Sequence, residues 1–217
     1  MKVRNVLAIG ALMAGFAAAL ANADIYITEW MYSGDSGEFV ELTNVGSTSV
    51  DMTNWSYDDS SATPGSEDLS AFGVVAAGES VILTEATAAD FRTAWGLSAS
   101  VKVIGGIANN LGRGDEINIY DASNALVDRL TYEDNGAAGG PRTQNASGNP
   151  LSLGVLGTND APQWVLSTVG DSYGSYESSV ATSNNIGNPG TFALPEPASL
   201  ILMAAGGLMM ARRRRRA

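Results

Sequence analysis

The sequence contains no cysteine and no histidine among its 217 residues. Without cysteine there are no disulfide bonds and no thiol nucleophiles, so packing alone must hold the fold together. Without histidine the chain lacks the commonest general base and the commonest zinc ligand. Cys/His metal sites and the usual serine or cysteine catalytic triads are therefore excluded.

Basic residues are also scarce in the middle of the chain. Of the 12 lysines and arginines, seven lie in the first four and the last six residues, whereas 22 of the 23 acidic residues lie within 24–194. Five basic against 22 acidic residues give that region a formal charge of about −17, against −11 for the whole chain. A strongly acidic surface repels phosphates, so we expect no nucleic-acid partner.

The N-terminus has the three parts of a secretory signal, which predicts removal of residues 1–23 by a signal peptidase. Its apolar run of about 15 residues is shorter than the roughly 20 that span a bilayer. We expect cleavage just before Asp24, after two small residues that fit the peptidase. In chain order the parts are a basic start, the apolar run and the small residues: Lys2 and Arg4, 6–20, and Ala21 and Ala23.

The C-terminus has the pattern of a stop-transfer segment. An apolar stretch, 198–211, can enter the bilayer, while an arginine cluster holds its end on the cytoplasmic side. Because the stretch has only about 14 apolar residues, we expect a transient insertion in the inner membrane. The flanking motif and the cluster are Pro195, Glu196 and Pro197, and Arg212, Arg213, Arg214, Arg215 and Arg216.

This arrangement over 195–217 resembles the PEP-CTERM sorting signal, because the three elements stand in the right order at the extreme terminus. The resemblance implies an exosortase-type enzyme, a membrane transpeptidase-like cysteine protease, as a partner that removes the tail. It also implies delivery to the cell surface or the extracellular space. A tail retained as a plain anchor is the alternative.

Between the two ends, short segments rich in β-branched and aromatic residues alternate with turn residues. Many short strands with little helix predict an all-β, antiparallel β-sandwich. The first strand is expected to place Ile25, Ile27 and Glu29 on one face. One short helix is predicted at 87–95. The predicted strands are 24–31, 38–43, 50–57, 72–75, 80–84, 101–104, 116–120, 125–132 and a returning strand at 163–167.

The ordered set of these segments resembles the lamin-tail domain, an immunoglobulin-like sandwich found in nuclear lamins and in many bacterial secreted proteins. The resemblance implies a fold more than an activity, since a fold alone does not define function. In bacteria the domain often accompanies exported enzymes, but no second domain is long enough to be one here. The matching segments are IYITE at 25–29, EFVELTN at 38–44, VDMTNW at 50–55, AGESVIL at 77–83, LGRGDEINIYD at 111–121 and VDRLTY at 127–132.

The sequence therefore predicts four parts. We expect the terminal segments to form a signal helix and a short hydrophobic helix. A Ser/Asn/Gly-rich stretch with few large apolar residues is expected to be a flexible stalk. The parts are the signal peptide at 1–23, the sandwich at 24–167 with its core at 24–132, the stalk at 168–194 and the sorting signal at 195–217.

Three glutamates and four tryptophans are the first candidates for a functional site. Glu29, Glu38 and Glu41 lie on neighbouring strands, and a glycosidase needs two carboxylates about 5–10 Å apart. The lamin-tail resemblance implies structural roles for them, so we expect no catalytic residue and no enzyme. The tryptophans are either sugar-stacking platforms or core residues; we expect core, with Trp55 the least free. The four are Trp30, Trp55, Trp95 and Trp164.

Turn carboxylates are the candidates for calcium, a cation that takes several oxygen ligands. None has the spacing of an EF-hand loop, and turn capping is the usual role of aspartate. We expect no cofactor and no metal, with calcium as the alternative. The carboxylates are Asp58, Asp59, Asp115, Glu116 and Asp121.

These observations predict a non-enzymatic, exported surface or matrix protein. A structural or adhesive role in biofilm or extracellular polysaccharide follows from the sorting resemblance. A carbohydrate- or calcium-binding accessory module is the alternative.

Overall fold

The computed structural model describes residues 24–135, 139–179 and 185–193. Within these ranges the chain is mostly β-strand, with one α-helix, α1 (Ala88–Trp95). The strands are β1 (Ile25–Met31), β2 (Phe39–Asn44), β3 (Val50–Asp51), β4 (Ser56–Asp58), β5 (Glu67–Asp68), β6 (Val74–Val75), β7 (Ser80–Thr84), β8 (Lys102–Gly105), β9 (Gly114–Tyr120), β10 (Leu126–Glu133), β11 (Gly148–Pro150), β12 (Trp164–Leu166), β13 (Tyr176–Glu177) and β14 (Ile186–Gly187).

Two sheets form the β-sandwich that the sequence predicts. The larger sheet has the strand order β12-β11-β1-β2-β7-β8, and the smaller has the order β10-β9-β4-β5. β12 forms where a returning strand is predicted and pairs antiparallel with β11. The main core lies between the two sheets. Inward-facing residues of β2 and β9, such as Val40, Leu42 and Ile119, are buried there.

A second, smaller core lies on the opposite face of the larger sheet. Phe39 and Ile82 point to this outer face and pack against Phe91 and Trp95 of α1. The Phe39 and Trp95 rings meet edge to face, with centroids 5.8 Å apart. The larger sheet is therefore covered on both faces, which explains why every residue of β2 and β7 is buried.

One strand pair corrects the prediction of a wholly antiparallel sandwich. β8 pairs parallel with β7, and α1 makes the crossover between them. The helix lies where the sequence predicts it: the Thr87 side chain caps its N-terminus by accepting from Asp90 N, and Gly96 ends it.

The predicted strand at 50–57 is two strands, β3 and β4, which belong to different sheets. Between them the chain turns at Asn54, whose φ of 62° lies in the left-handed region. Asp51 Oδ1 accepts a 3.0 Å hydrogen bond from Thr53 N, which stabilises this turn. In the sequence the only signal of this turn is a break in the polar–apolar alternation at Thr53 and Asn54.

A bulge in β1 overturns the predicted facing of Glu29. The pairing of β1 with β2 shifts between Ile27 and Glu29. Such a shift moves all later side chains to the other face. Ile27 therefore lies in the main core, whereas Glu29 lies opposite Glu41 on the outer face.

The described part of the predicted stalk, 168–179 and 185–193, is packed against the sandwich. β13 and β14 pair antiparallel, Tyr173 is buried, and Tyr173 Oη donates to the Pro150 carbonyl at 3.1 Å. Small polar residues can pack in this way because the surface that they cover is itself polar and hydrogen-bonds them. The prediction of a flexible stalk is therefore wrong for these residues.

The close approach of α1 to β8 makes Gly105 a sensitive position. A Cβ atom there would lie under 3.0 Å from backbone atoms of Ala86 and Ala88. Gly105→Ala is expected to lower the free energy of unfolding by about 3 kcal/mol, because backbone atoms on both sides must move apart. Urea unfolding measures this loss.

Gly154→Ala is the matched control for that measurement. The nearest atom to a Cβ at Gly154 is Ser152 Oγ at 3.7 Å, which is an ordinary contact. We expect it to change stability by about 0.5 kcal/mol or less. Equal effects of the two substitutions would contradict the proposed crowding at Gly105.

Both predicted terminal helices, within 1–23 and 195–217, lie outside the described residues. Within the described ranges, no helix is both long and apolar enough to cross a bilayer.

Candidate functional site

The outer face of the larger sheet carries a pair of buried carboxylates, Glu29 and Glu41. They stand directly opposite each other on β1 and β2, and both residues are 0% exposed. Thr28 Oγ1 donates to Glu41 Oε1 at 2.8 Å, and Ser147 Oγ donates to Glu29 Oε1. The bulge in β1 is what brings the two carboxylates to the same face.

The last described segment, 185–193, covers this pair and is called here the C-terminal strap. Two of its backbone amides donate to the carboxylates: Asn188 N to Glu29 Oε1 at 2.7 Å and Gly190 N to Glu41 Oε2 at 2.6 Å. The strap approaches closely because Gly187 has no side chain, since a Cβ there would lie 2.7 Å from Glu29 Oε1. The carboxylates therefore bind the strap and are closed off from solvent by it.

Burial dominates the electrostatics of the pair. It raises the pKa of Glu41 to about 7, against the opposing effect of the hydrogen bonds from Thr28, Gly190, Ser80 and Thr43. Burial also raises the pKa of Glu29 well above its usual value, and the neighbouring charge of Glu41 raises it further. A pair of this kind holds a proton readily near neutral pH.

Glu38, the third candidate glutamate, lies apart from this pair. Both of its carboxylate oxygens are 2.8 Å from Leu111 N, and its carbonyl accepts from Thr84 Oγ1. Burial raises the pKa of Glu38 to about 8. Glu38 thus holds the loop before β9 against the start of β2 through hydrogen bonds. It does not form a carboxylate pair with Glu29 or Glu41.

Asp128 is a buried carboxylate that the sequence reasoning missed. Its Oδ2 accepts from Ile27 N at 2.8 Å, next to the bulge in β1, and burial raises its pKa to about 6. A signal was present in the sequence: Asp128 shares the inward face of β10 with Leu130 and Tyr132. A charged residue in a row of core residues indicates a buried polar contact.

The tryptophans are mainly core residues, as expected. Trp30, Trp95 and Trp164 are buried. Trp55, expected to be the least free, is instead the least buried of the four and packs against the edge of the main core. The three buried indoles offer no ring face to a sugar, so sugar stacking by these three is contradicted.

The turn carboxylates are used in local hydrogen bonds. Asp58 Oδ2 accepts from Ser61 Oγ at 2.6 Å, and Asp121 Oδ1 accepts from Ser123 N at 2.8 Å. Asp115 Oδ2 accepts from Gly112 N at 2.8 Å. Asp59 likewise accepts from a backbone amide, and Glu116 accepts from the Thr131 hydroxyl. In the described part of the chain, no three acidic residues gather closely enough to hold a metal ion.

An open cleft of about 480 Å³ lies between α1 and the turn before β2. Asp35, Glu85 and Asp90 contribute to its lining together with small and hydroxyl-bearing residues. The cleft therefore presents an acidic, hydrophilic surface rather than an apolar ligand pocket.

Comparison with known families decides the assignment of the sandwich. The model of the Lamin Tail Domain matches residues 18–134, which is more than half of the chain. The chain belongs to the lamin tail domain family. No curated protein and no solved structure matches it significantly.

The match to the lamin tail domain covers β1 to β10 and stops before β11. The lamin tail family supports an immunoglobulin-like sandwich, as the sequence predicts. Ser147, Asn188 and Gly190, which bind the buried glutamates, all lie beyond the matched residues. The strap is thus an element that this lamin tail domain carries outside its family region.

The predicted processing residues stand largely outside the described residues. Asp24 is the first described residue and directly precedes β1. Its carbonyl accepts a 2.9 Å hydrogen bond from Val45 N. The remaining processing residues lie in the terminal segments that the structure does not describe: Ala21, Ala23, Pro195, Glu196, Pro197, Arg212, Arg213, Arg214, Arg215 and Arg216.

Proposed function

We propose that this lamin tail domain is a non-enzymatic, exported module of the cell surface or extracellular matrix. The proposal rests on the observation that the candidate catalytic carboxylates form hydrogen bonds within the fold. Glu29 and Glu41 bind the strap and Glu38 binds Leu111 N, so each of them serves the fold. Buried carboxylates without access to solvent cannot protonate or attack a substrate.

The route of export rests on the two ends of the sequence. The N-terminal signal pattern supports secretion, and the motif at Pro195–Glu196–Pro197 with its arginine-ended tail supports sorting by an exosortase-type enzyme. The acidic sandwich is compatible with an extracellular location, since the formal charge of about −17 over 24–194 opposes aggregation. A structural or adhesive role in biofilm or extracellular polysaccharide is the function that these features favour.

Mass spectrometry of the native protein from cells and medium tests this route. We expect an N-terminus at Asp24 and, outside the cell, a C-terminus near Pro195. Glu196→Ala is expected to leave the arginine tail in place, because the sorting motif is changed. Glu177→Ala, an exposed glutamate of β13, is the matched control and should be processed normally. An intact tail in the membrane fraction of the wild type would contradict the sorting proposal.

A second candidate function is a carbohydrate- or calcium-binding accessory module. The hydrophilic cleft beside α1 is the observation that favours carbohydrate binding, because its carboxylates and hydroxyls can form hydrogen bonds with sugar hydroxyls. A rise in melting temperature with added Ca²⁺, or binding to a glycan array, would support this module. Hydrolase activity lost in Glu41→Gln, with the fold intact, would contradict both candidates.

A further inference from the structure

The C-terminal strap is fixed to the sandwich mainly by polar groups. Besides the two amides on Glu29 and Glu41, Ile186 N donates to the Asn145 carbonyl at 2.9 Å, and Asn149 Nδ2 donates to Asn188 Oδ1 at 2.9 Å. By contrast, β2 lies in the middle of the larger sheet and pairs along its length with β1 on one side and β7 on the other. Local opening begins in elements with few ladder bonds, so the strap can open while the sheet stays formed.

Among the described residues, no basic side chain balances the charge of the pair beneath the strap. The titratable groups that interact with it from neighbouring elements are Asp171, from the loop before β13, and Tyr176 in β13. Both are acids, and Glu177 on β13 is exposed. The basic residues of α1 and β8 are used elsewhere: Arg92 donates to the Val101 carbonyl and Lys102 pairs with Glu79.

The hydrogen bonds of Glu29 indicate which of its carboxylate oxygens can carry a proton. Glu29 Oε1 accepts from Asn188 N and from Ser147 Oγ, whereas Glu29 Oε2 is buried without a hydrogen-bond partner. An unpartnered buried carboxylate oxygen is costly when the group is ionised. Two opposed carboxylates of this kind are stable when one of them is protonated, as in other like-charged pairs.

We propose that Glu29 and Glu41 share one proton, and that loss of this proton releases the C-terminal strap while the sandwich stays folded. The second negative charge would be repelled by the first at a site that excludes water. Release of the strap lets water reach both carboxylates and removes that cost. The pair and the strap together form a proton-dependent latch.

The titration range of the latch follows from the groups that build it. The pKa of Glu41 is raised to about 7, and that of Glu29 is raised well above its ordinary value. For an acid whose pKa is raised by folding, the favourable state is complete at low pH and is lost as the pH rises through the folded pKa. The strap is therefore docked at pH 5, and its release follows as the pH rises above about 7.

Amide hydrogen exchange of the full chain, followed by NMR, tests the latch. The measured quantity is the protection of Asn188 N and Gly190 N relative to the amides of β2, after correction for intrinsic exchange. We expect this ratio to fall at least tenfold from pH 5 to pH 8. A ratio that stays constant would overturn the proposal, because the strap would then open only with the whole domain.

Two substitutions separate the latch from a general effect of pH. Glu41→Gln keeps a side-chain oxygen for Gly190 N but cannot ionise, so the ratio should stay high at pH 8. Glu38→Gln changes a buried carboxylate that does not touch the strap, so the wild-type fall should remain. If Glu41→Gln does not fold, Glu29→Gln makes the same measurement.

A bound cation instead of a proton is the competing arrangement. In that case the ratio at pH 8 would rise tenfold or more with added Na⁺ or Ca²⁺ in the wild type and would not rise in Glu41→Gln. This result would overturn the shared proton. A ratio that depends on pH and not on added salt supports it.

Discussion

The free energy of unfolding is expected to fall by about 3 kcal/mol as the pH rises from about 5 to about 8. Glu38 and Asp128 carry this effect, because burial raises their pKa values to about 8 and about 6. Each tenfold change in an acid dissociation constant between folded and unfolded chain is worth about 1.4 kcal/mol. The full shifts would give a larger value, which we reduce because the effective dielectric constant inside a protein is higher than that of a dry medium.

The sign follows from the direction of the shifts. In the unfolded chain these carboxyls ionise near pH 4–5, whereas in the folded chain they hold their protons to higher pH. Stability is therefore lost as the pH rises through that window. Below about pH 4 stability falls again, because hydrogen bonds lower the pKa values of turn residues such as Asp68 and Asp121.

Urea unfolding between pH 4 and pH 8 measures this dependence. Glu38→Gln is expected to flatten part of the curve above pH 5, because it removes a carboxyl whose pKa burial raises to about 8. Leu153→Ala removes an exposed side chain that does not ionise, so it is the control and should leave the slope as in the wild type. Stability that rises steadily from pH 5 to pH 8 would contradict the assigned protonation.

Trp30→Ala is expected to cost about 3–5 kcal/mol of folding free energy. Trp30 is 0% exposed, and its ring lies 3.9 Å from that of Tyr132, centroid to centroid. It therefore joins β1 of the larger sheet to β10 of the smaller one. Its loss leaves a cavity that the strands on either side cannot close without moving.

Trp30→Phe is the informative companion variant. Trp30 Nε1 has no hydrogen-bond partner, so phenylalanine loses ring volume but no polar contact. We expect a cost of about 1–2 kcal/mol, well below that of alanine. Equal costs for the two variants, measured by urea unfolding, would mean that the ring contact contributes little.

The longer strands and α1 were predictable because their signals are local, whereas the short strands β5, β11, β13 and β14 were not predicted. Short apolar runs rich in β-branched residues define β2 and β7, and a capping threonine with a terminal glycine defines α1. The parallel pairing of β8 was not predictable in this way, since it depends on where α1 returns the chain. The turn at Asn54 lies within one run of β-branched and aromatic residues, and its only sequence signal is a break in the polar–apolar alternation at Thr53 and Asn54.

The candidate site was predictable in its residues and not in its geometry. The sequence places Glu29 and Glu41 on adjacent strands, but only the one-residue shift in β1 sets them face to face. The strap escaped prediction for a different reason. Its residues are small and polar, and their burial depends on partners such as Glu29 that are about 160 positions away in the chain.

Under the proposed sorting, the strap also limits the distance between the sandwich and the membrane. Asn188 Nδ2 donates to the Thr191 carbonyl at 2.9 Å, so the docked chain is tied to the body up to that point. Three residues separate Thr191 from Pro195 in the sequence, and such a tether spans at most about 14 Å. An enzyme in the bilayer that cuts near Pro195 would therefore act close to the edge of the folded domain. Opening the latch would lengthen the tether to roughly twice that reach or more.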